Sequence, residues 1–204
     1  MDTKSNIFEK QNPTPILDIM IGKSSNNKED KISSKRKDYI SKDDMYMTMA
    51  FIASLRSKDP NTQVGAVIVS NQDRILSVGY NGFPNGISDD EFPWDREAKC
   101  EEETKYPYVV HAEANAIMNF RGDNNALQGA TLYVTLFPCH ECTKMIIQSG
   151  IKKIVYKSNK YSHTADFREA KRMLDAVGIE CIQYNISYEE SIKMCKKVIS
   201  YFGV

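Results

Sequence analysis

Thr131-Leu132-Tyr133-Val134-Thr135-Leu136-Phe137-Pro138-Cys139-His140-Glu141-Cys142 sets a β-branched apolar run directly before two cysteines spaced three apart. The run predicts a buried strand, and Pro138 predicts that a helix follows it. If Pro138 opens that helix, both sulfurs project from one face of its first turn. The helix is expected to stop at Gly150. Downstream the same alternation repeats, with a strand at Lys153–Tyr156, a helix at Asp166–Val177 ended by Gly178, and a strand at Ile179–Tyr184. A last helix spans Ser187–Phe202, with a Ser187/Glu190 capping box and apolar Ile192, Cys195, Ile199 and Phe202.

Upstream of this stretch, Ser41 and Asp44 have capping-box spacing before a helix whose apolar stripe is expected at Met45, Met49, Ile52 and Ala53. Asp59-Pro60-Asn61 breaks the chain. Strands are expected at Val64–Val69 and Ile75–Tyr80, joined by Asn71-Gln72-Asp73. A long loop covers Asn81–Tyr108, and a helix follows from His111 to about Phe120. Strands that alternate with helices late in the chain imply parallel pairing, after an antiparallel opening hairpin. The expected fold is α/β, a three-layer αβα sandwich around a mixed five-stranded sheet.

His111, Cys139 and Cys142 together offer one imidazole and two thiolates, a donor set suited to tetrahedral zinc with one position left open. The partial positive charge at a helix N-terminus favours thiolates over thiols. Glu113, two residues past the histidine, is placed to move protons at the open position without binding the metal. Two other readings of the cysteines stand beside this one: a closed zinc clip with His140 as fourth ligand, and a bare Cys-x-x-Cys redox pair. The His-x-Glu and Pro-Cys-x-x-Cys spacing, however, is the signature of zinc nucleobase deaminases.

The chain has 204 residues, with Lys+Arg 27 and Asp+Glu 27, and so no net charge that would ask for nucleic acid or an acidic membrane. No apolar run is long enough to span a membrane. Of five cysteines, Cys100, Cys181 and Cys195 lie outside the metal motif and read as reduced residues, which points to the cytosol. Residues 1–37 read as a disordered polar tail with one apolar island at Ile16–Ile21, and residues 38–204 as the deaminase domain. Lys35-Arg36-Lys37 is either a short nuclear-import signal or a solvated linker.

Four further stretches go beyond the zinc motif. These are Arg56 to Ala66 (RSKDPNTQVGA), Gly79 to Gly86 (GYNGFPNG), Lys105-Tyr106-Pro107-Tyr108, and Leu136-Phe137-Pro138-Cys139. Together they resemble the deoxycytidylate (dCMP) deaminases, over about Asp38 to the C-terminus. The resemblance implies a cytidine-deaminase-like fold and hydrolysis of dCMP to dUMP and ammonia, a precursor step for dTMP. It implies a homohexamer activated by dCTP and inhibited by dTTP, with Mg2+ beside the allosteric nucleotide. Carried over, His111, Cys139 and Cys142 bind zinc and Glu113 shuttles protons. Asn81 faces the sugar and phosphate, and Ala112 and Tyr161 complete the substrate site; Arg56 and Ser57, where the first helix ends, are placed to contact the phosphate, with Arg56 equally readable as a helix-end cation. Gly79, Tyr80, Gly82, Asn85 and Gly86 fall where the family associates its effector. The chain departs from the family's Tyr-His-Asp at Tyr161-Ser162-His163, and His163 has no assigned role. The rival functions are a nucleic-acid-editing deaminase, a free cytidine or guanine deaminase, and a non-catalytic regulatory subunit of the same fold.

Overall fold

The computed structural model describes residues 35–200 and Gly203. Most of the expected tail (residues 1–34), Ile16–Ile21 included, and Phe202 of the last helix lie outside the described residues. Five helices and five strands follow in the expected order: α1 Lys42–Ser54, β1 Gly65–Val69, β2 Ile75–Tyr80, α2 Ala112–Asn119, β3 Thr131–Leu136, α3 His140–Gln148, β4 Lys153–Ser158, α4 Ala165–Ala176, β5 Glu180–Gln183 and α5 Tyr188–Ser200. Two short 3-10 turns, Glu101–Glu103 and Asn124–Leu127, add to these.

The sheet runs β2-β1-β3-β4-β5. β1 pairs antiparallel with β2 and β3, while β3–β4 and β4–β5 are parallel, so the sheet is mixed as expected. β1 is buried at every residue, which accounts for its unbroken apolar run of Gly-Ala-Val-Ile-Val. Alternate residues of β1 enter two cores. Ala66 and Ile68 join Leu132, Val134 and Ile154 under α2, α3 and α4, whereas Val67 and Val69 join Tyr133 and Val155 under α1. Gly65 and Gly79 let helices approach closely. A Cβ on Gly65 would lie 1.9 Å from the Ala50 carbonyl oxygen, and one on Gly79 would lie 2.3 Å from that of Ala112.

The α1 capping box forms as expected, with Ser41 Oγ accepting from Asp44 N–H at 3.0 Å and Asp44 Oδ2 accepting from Ser41 N–H. The buried face differs from the expected stripe. Tyr46, Met47, Ala50, Ala53 and Ser54 face the sheet, while Met45 and Ile52 are exposed, Ile52 at 60%. Apolar residues occur nearly all round this helix, so their spacing could not single out the packed side. Tyrosine hydroxyls then fasten its first turn. Tyr133 donates to Asp43 at 2.5 Å and Tyr184 to Asp44 at 2.6 Å.

Candidate active site

Two helix N-termini meet at the C-terminal end of β3. His111 is the N-cap of α2 and makes no side-chain capping bond, so its imidazole is turned elsewhere. Cys139 is the N-cap of α3, which begins at His140 rather than at Pro138 as expected. Pro138 has no N–H and a fixed φ, which leaves the capping position to the next residue. Cys139 Sγ accepts from Cys142 N–H at 3.4 Å. His111 Nδ1 lies 3.4 Å from Cys139 Sγ and 3.5 Å from Cys142 Sγ.

These three donors fit a zinc ion. Tetrahedral ligation at about 2.3 Å to sulfur and 2.0–2.1 Å to nitrogen separates S and N by roughly 3.6 Å, close to the spacing found. The three groups also share protons with one another. The hydrogen bond from Cys142, and after it that of His111, holds the Cys139 thiol down at about 4 against the effect of burial. His111 is raised to about 9, chiefly by its bond to Cys139. Cys142 is pushed up by sharing its proton with Cys139 and by burial. His140 does not join the group, because its Nδ1 meets Asp166 at the start of α4 and its Nε2 lies 3.0 Å from Glu141. Among the described residues His111, Cys139 and Cys142 gather no fourth side-chain ligand. Three protein ligands are the pattern of catalytic zinc, and the closed clip is set aside.

Glu113, in the first turn of α2, is 4% exposed and lines the same cleft. Burial pushes its carboxyl up to about 7, where a proton can be taken and returned at neutral pH. The cleft encloses about 310 Å3. Val109, Ala112, Leu136, Phe137, Pro138 and Phe167 supply flat apolar walls. Asp59, Thr62, Asn81, Arg96, Lys105 and Tyr161 are among its polar lining.

The outer wall is a knot of buried polar groups. Asp59 Oδ1 accepts from Asn61 N–H at 2.8 Å and Thr62 N–H at 3.2 Å. Its Oδ2 meets Lys105 Nζ and accepts from Asn81 Nδ2 at 3.3 Å. Asn81 also donates to Thr62 O at 3.0 Å and accepts from Val64 N–H at 2.8 Å. Asn81, Ala112 and Tyr161 therefore line the cleft, but both amide hydrogens of Asn81 are spent on the wall itself. Arg56 and Ser57 are not among the lining residues. Arg56 lies 6.0 Å over the exposed Tyr80 ring, and Ser57 Oγ accepts from Asp59 N–H. Gly79, Tyr80, Gly82, Asn85 and Gly86 also lie outside the lining. Gly79 is needed for α2 packing, and Gly82 bridges to Val110.

Sequence reasoning passed over Asp59, Arg96, Lys105, Tyr106 and Asp166. Asp59 and Lys105 had a signal, since both stand in stretches that carry the family resemblance; Arg96 had none.

The family model described as the cytidine and deoxycytidylate deaminase zinc-binding region matches residues 40–158. A probable deoxycytidylate deaminase of Drosophila melanogaster is 53% identical over 153 residues, covering 72% of this chain and 74% of its own. The deoxycytidylate deaminase of Homo sapiens is 45% identical over 168 residues, covering 82% and 89%. Among solved structures, the dCMP deaminase of cyanophage S-TIM5 in complex with dCMP and dUMP is similar with a TM-score of 0.55 at 29% identity, covering 69% of this chain and 95% of the other.

Proposed function

The chain belongs to the cytidine and deoxycytidylate deaminase zinc-binding family, and from that premise we propose that it hydrolyses dCMP to dUMP and ammonia. The observation that carries this reading is the juxtaposition of His111, Cys139 and Cys142 with the buried carboxyl of Glu113 at the inner end of a cleft of nucleotide size. Bound by those three residues, zinc supplies the Lewis acidity that brings the pKa of a water down to roughly 7. Glu113 takes the proton of the attacking water and delivers it to N3 of the pyrimidine. As the water oxygen bonds to C4, the same carboxyl carries a second proton from that new hydroxyl to the amino group, and the C4–N bond breaks to release ammonia. Leu136 at the end of β3, Phe137 and Pro138 just after it, and Val109 before α2 enclose the base and keep bulk water from it.

Regulation by dCTP and dTTP, Mg2+ beside that effector, and a homohexameric assembly belong to the same proposal. They rest on the family resemblance, and the Gly79–Gly86 turn is the proposed effector region. Gly86 has φ +93, and among the described residues nothing lies within 4 Å of where a Cβ would stand, so its backbone is open to approach by an anion. A cytosolic setting is proposed too. Among the described residues no helix is long and apolar enough to cross a membrane, and the five cysteines are free.

Ammonia release from dCMP, deoxycytidine, dCTP, CMP and a single-stranded oligonucleotide tests the assignment. We expect kcat/KM for dCMP to exceed that for deoxycytidine at least about tenfold, equivalent to roughly 1.4 kcal/mol. The comparison is made with and without dCTP. Equal values under both conditions leave a zinc cytosine deaminase that ignores the phosphate.

A further inference from the structure

We infer that His140, Asp166 and Glu169, with Glu141 beside them, form a second divalent-cation site that ties the first turns of α3 and α4 together, separate from the His111, Cys139 and Cys142 centre. Charge is the first reason. The carboxylates of Glu141, Asp166 and Glu169 surround a single imidazole. His140 Nε2 lies 3.0 Å from Glu141 Oε1, while Nδ1 meets Asp166 and lies 3.8 Å from Glu169 Oε2. Among the described residues the one lysine or arginine paired with any of these carboxylates is Lys144, 2.6 Å from Glu141. Asp166 and Glu169 therefore have no side-chain cation there except what the imidazole can offer. Acidic residues are ordinary in the first turn of a helix, where the dipole favours them. That accounts for Glu141 in α3 and Asp166 in α4. It does not account for Glu169, which lies beyond the first turn, nor for an imidazole set among all three.

Geometry is the second reason. Asp166 and Glu169 are three apart on α4 and so share a face, and His140 is the first residue of α3. Asp166 also accepts from the His140 backbone N–H at 2.9 Å, which fixes the two helix starts against each other. One ligand atom from each of His140, Asp166 and Glu169 falls within 4.8 Å of the others. Ligands held about 2.0–2.2 Å from one ion lie roughly 3.0–3.6 Å apart, so Glu169 is nearly in place. Asp166 touches the ring, and its half-exposed side chain has room to swing out and admit an ion. Imidazole nitrogen with carboxylate oxygens suits zinc and its first-row neighbours, whereas magnesium and calcium prefer oxygen throughout. With no thiolate and open to solvent, this is the weaker of the two sites. The turn it would brace is the one that carries Cys139 and Cys142.

The experiment titrates Co2+ into the full chain already loaded with zinc at the cysteine centre, in wild type, Glu169→Gln, His140→Asn and His163→Asn. Cobalt on nitrogen and oxygen gives weak visible bands. Cobalt on a thiolate adds strong near-ultraviolet absorption, which would betray exchange into the cysteine centre or capture by the exposed Cys100 and Cys195. Wild type is expected to bind one cobalt per chain with the weak bands alone and with its zinc retained. Its thermal midpoint should rise with cobalt concentration, as for any ligand that binds the folded state. Losing a group that merely orients a metal ligand costs about 10–100-fold in affinity, so Glu169→Gln should weaken cobalt at least about tenfold and His140→Asn at least about a hundredfold. His163→Asn should bind as wild type does. Glu169→Gln keeps the bond between His140 and Asp166, so loss of the cobalt-dependent rise in that variant separates a metal tie from a plain hydrogen bond. Without cobalt its dCMP turnover should stay within about twofold of wild type, as for an ordinary surface substitution. The site is overturned if wild type takes up no second metal, if the bound cobalt shows thiolate absorption, or if Glu169→Gln and His140→Asn bind it as tightly as wild type.

Discussion

At its inner end the cleft is assembled from two helix N-termini, whereas its outer wall is assembled from two loops, between α1 and β1 and between β2 and α2, tied by one buried carboxylate. His111, Cys139 and Cys142 hold their places because α2 and α3 start where β3 ends, and their contacts with one another are few. In the wall, Asp59 joins Lys105, Asn81, Asn61 and Thr62, residues that lie up to 46 positions apart in the chain. The inner end has chemistry to perform, and burial of Glu113 holds its carboxyl up at about 7. The wall has shape to maintain, and pairs every charge it buries. Substitutions should therefore separate the two regions, costing turnover at one and stability at the other.

The largest effect is expected at the ligands. Cys139→Ala and Cys142→Ala should each release zinc, abolish measurable deamination and lower the thermal midpoint, because metal binding at such a site also supports folding. Metal analysis by mass spectrometry checks this, and one zinc per chain in either variant would mean that the ligand set is misassigned. Next comes Glu113→Gln, expected to slow dCMP turnover by about a hundredfold or more while zinc content and midpoint hold. Near-normal turnover in that zinc-loaded variant would remove the carboxyl from proton transfer.

The difference between the regions also explains what could be read from residues alone. The inner end was legible because its geometry is local. The His-x-Glu and Cys-x-x-Cys spacings act on helical first turns, and the strand before Pro138 announces where those turns begin. Parallel pairing of the late strands followed from the alternation of β3, α3, β4, α4 and β5, while the strand order β2-β1-β3-β4-β5 had no signal of its own. The wall was not legible in the same way. A lysine in a loop reads as solvated, and only the arrival of Asp59 from the far side of β1 and β2 makes burial of Lys105 tolerable. Asn81 had the right address and a different occupation, since its amide groups hold Val64, Thr62 and Asp59. The packed side of α1 was likewise hidden, because Met45 and Ile52 are as apolar as the residues that turned inward. Arg96 escaped notice because one arginine in a polar loop has no pattern to belong to.

The smallest effects, and the sharpest test of the contrast, lie within the wall. Asp59→Ala leaves the Lys105 ammonium buried without its acceptor and the turn at Asn61 and Thr62 without its cap. That should cost about 3–5 kcal/mol of stability, the usual scale for breaking a buried pair. Lys105→Met is milder by the same reasoning, because the Asp59 carboxylate keeps three donors: Asn61 N–H, Thr62 N–H and Asn81 Nδ2. The methionine also refills the apolar part of the lysine stem. Its cost should be about 1.5 kcal/mol, the order of one hydrogen bond to a charged group. Urea denaturation of the zinc-loaded variants measures both, and deoxycytidine turnover per folded molecule should stay within a few-fold of wild type in each. If Lys105→Met proves as damaging as Asp59→Ala, the lysine rather than the carboxylate is the centre of the wall. If either slows deoxycytidine turnover as Glu113→Gln does, the separation between a reacting end and a shaping wall does not hold.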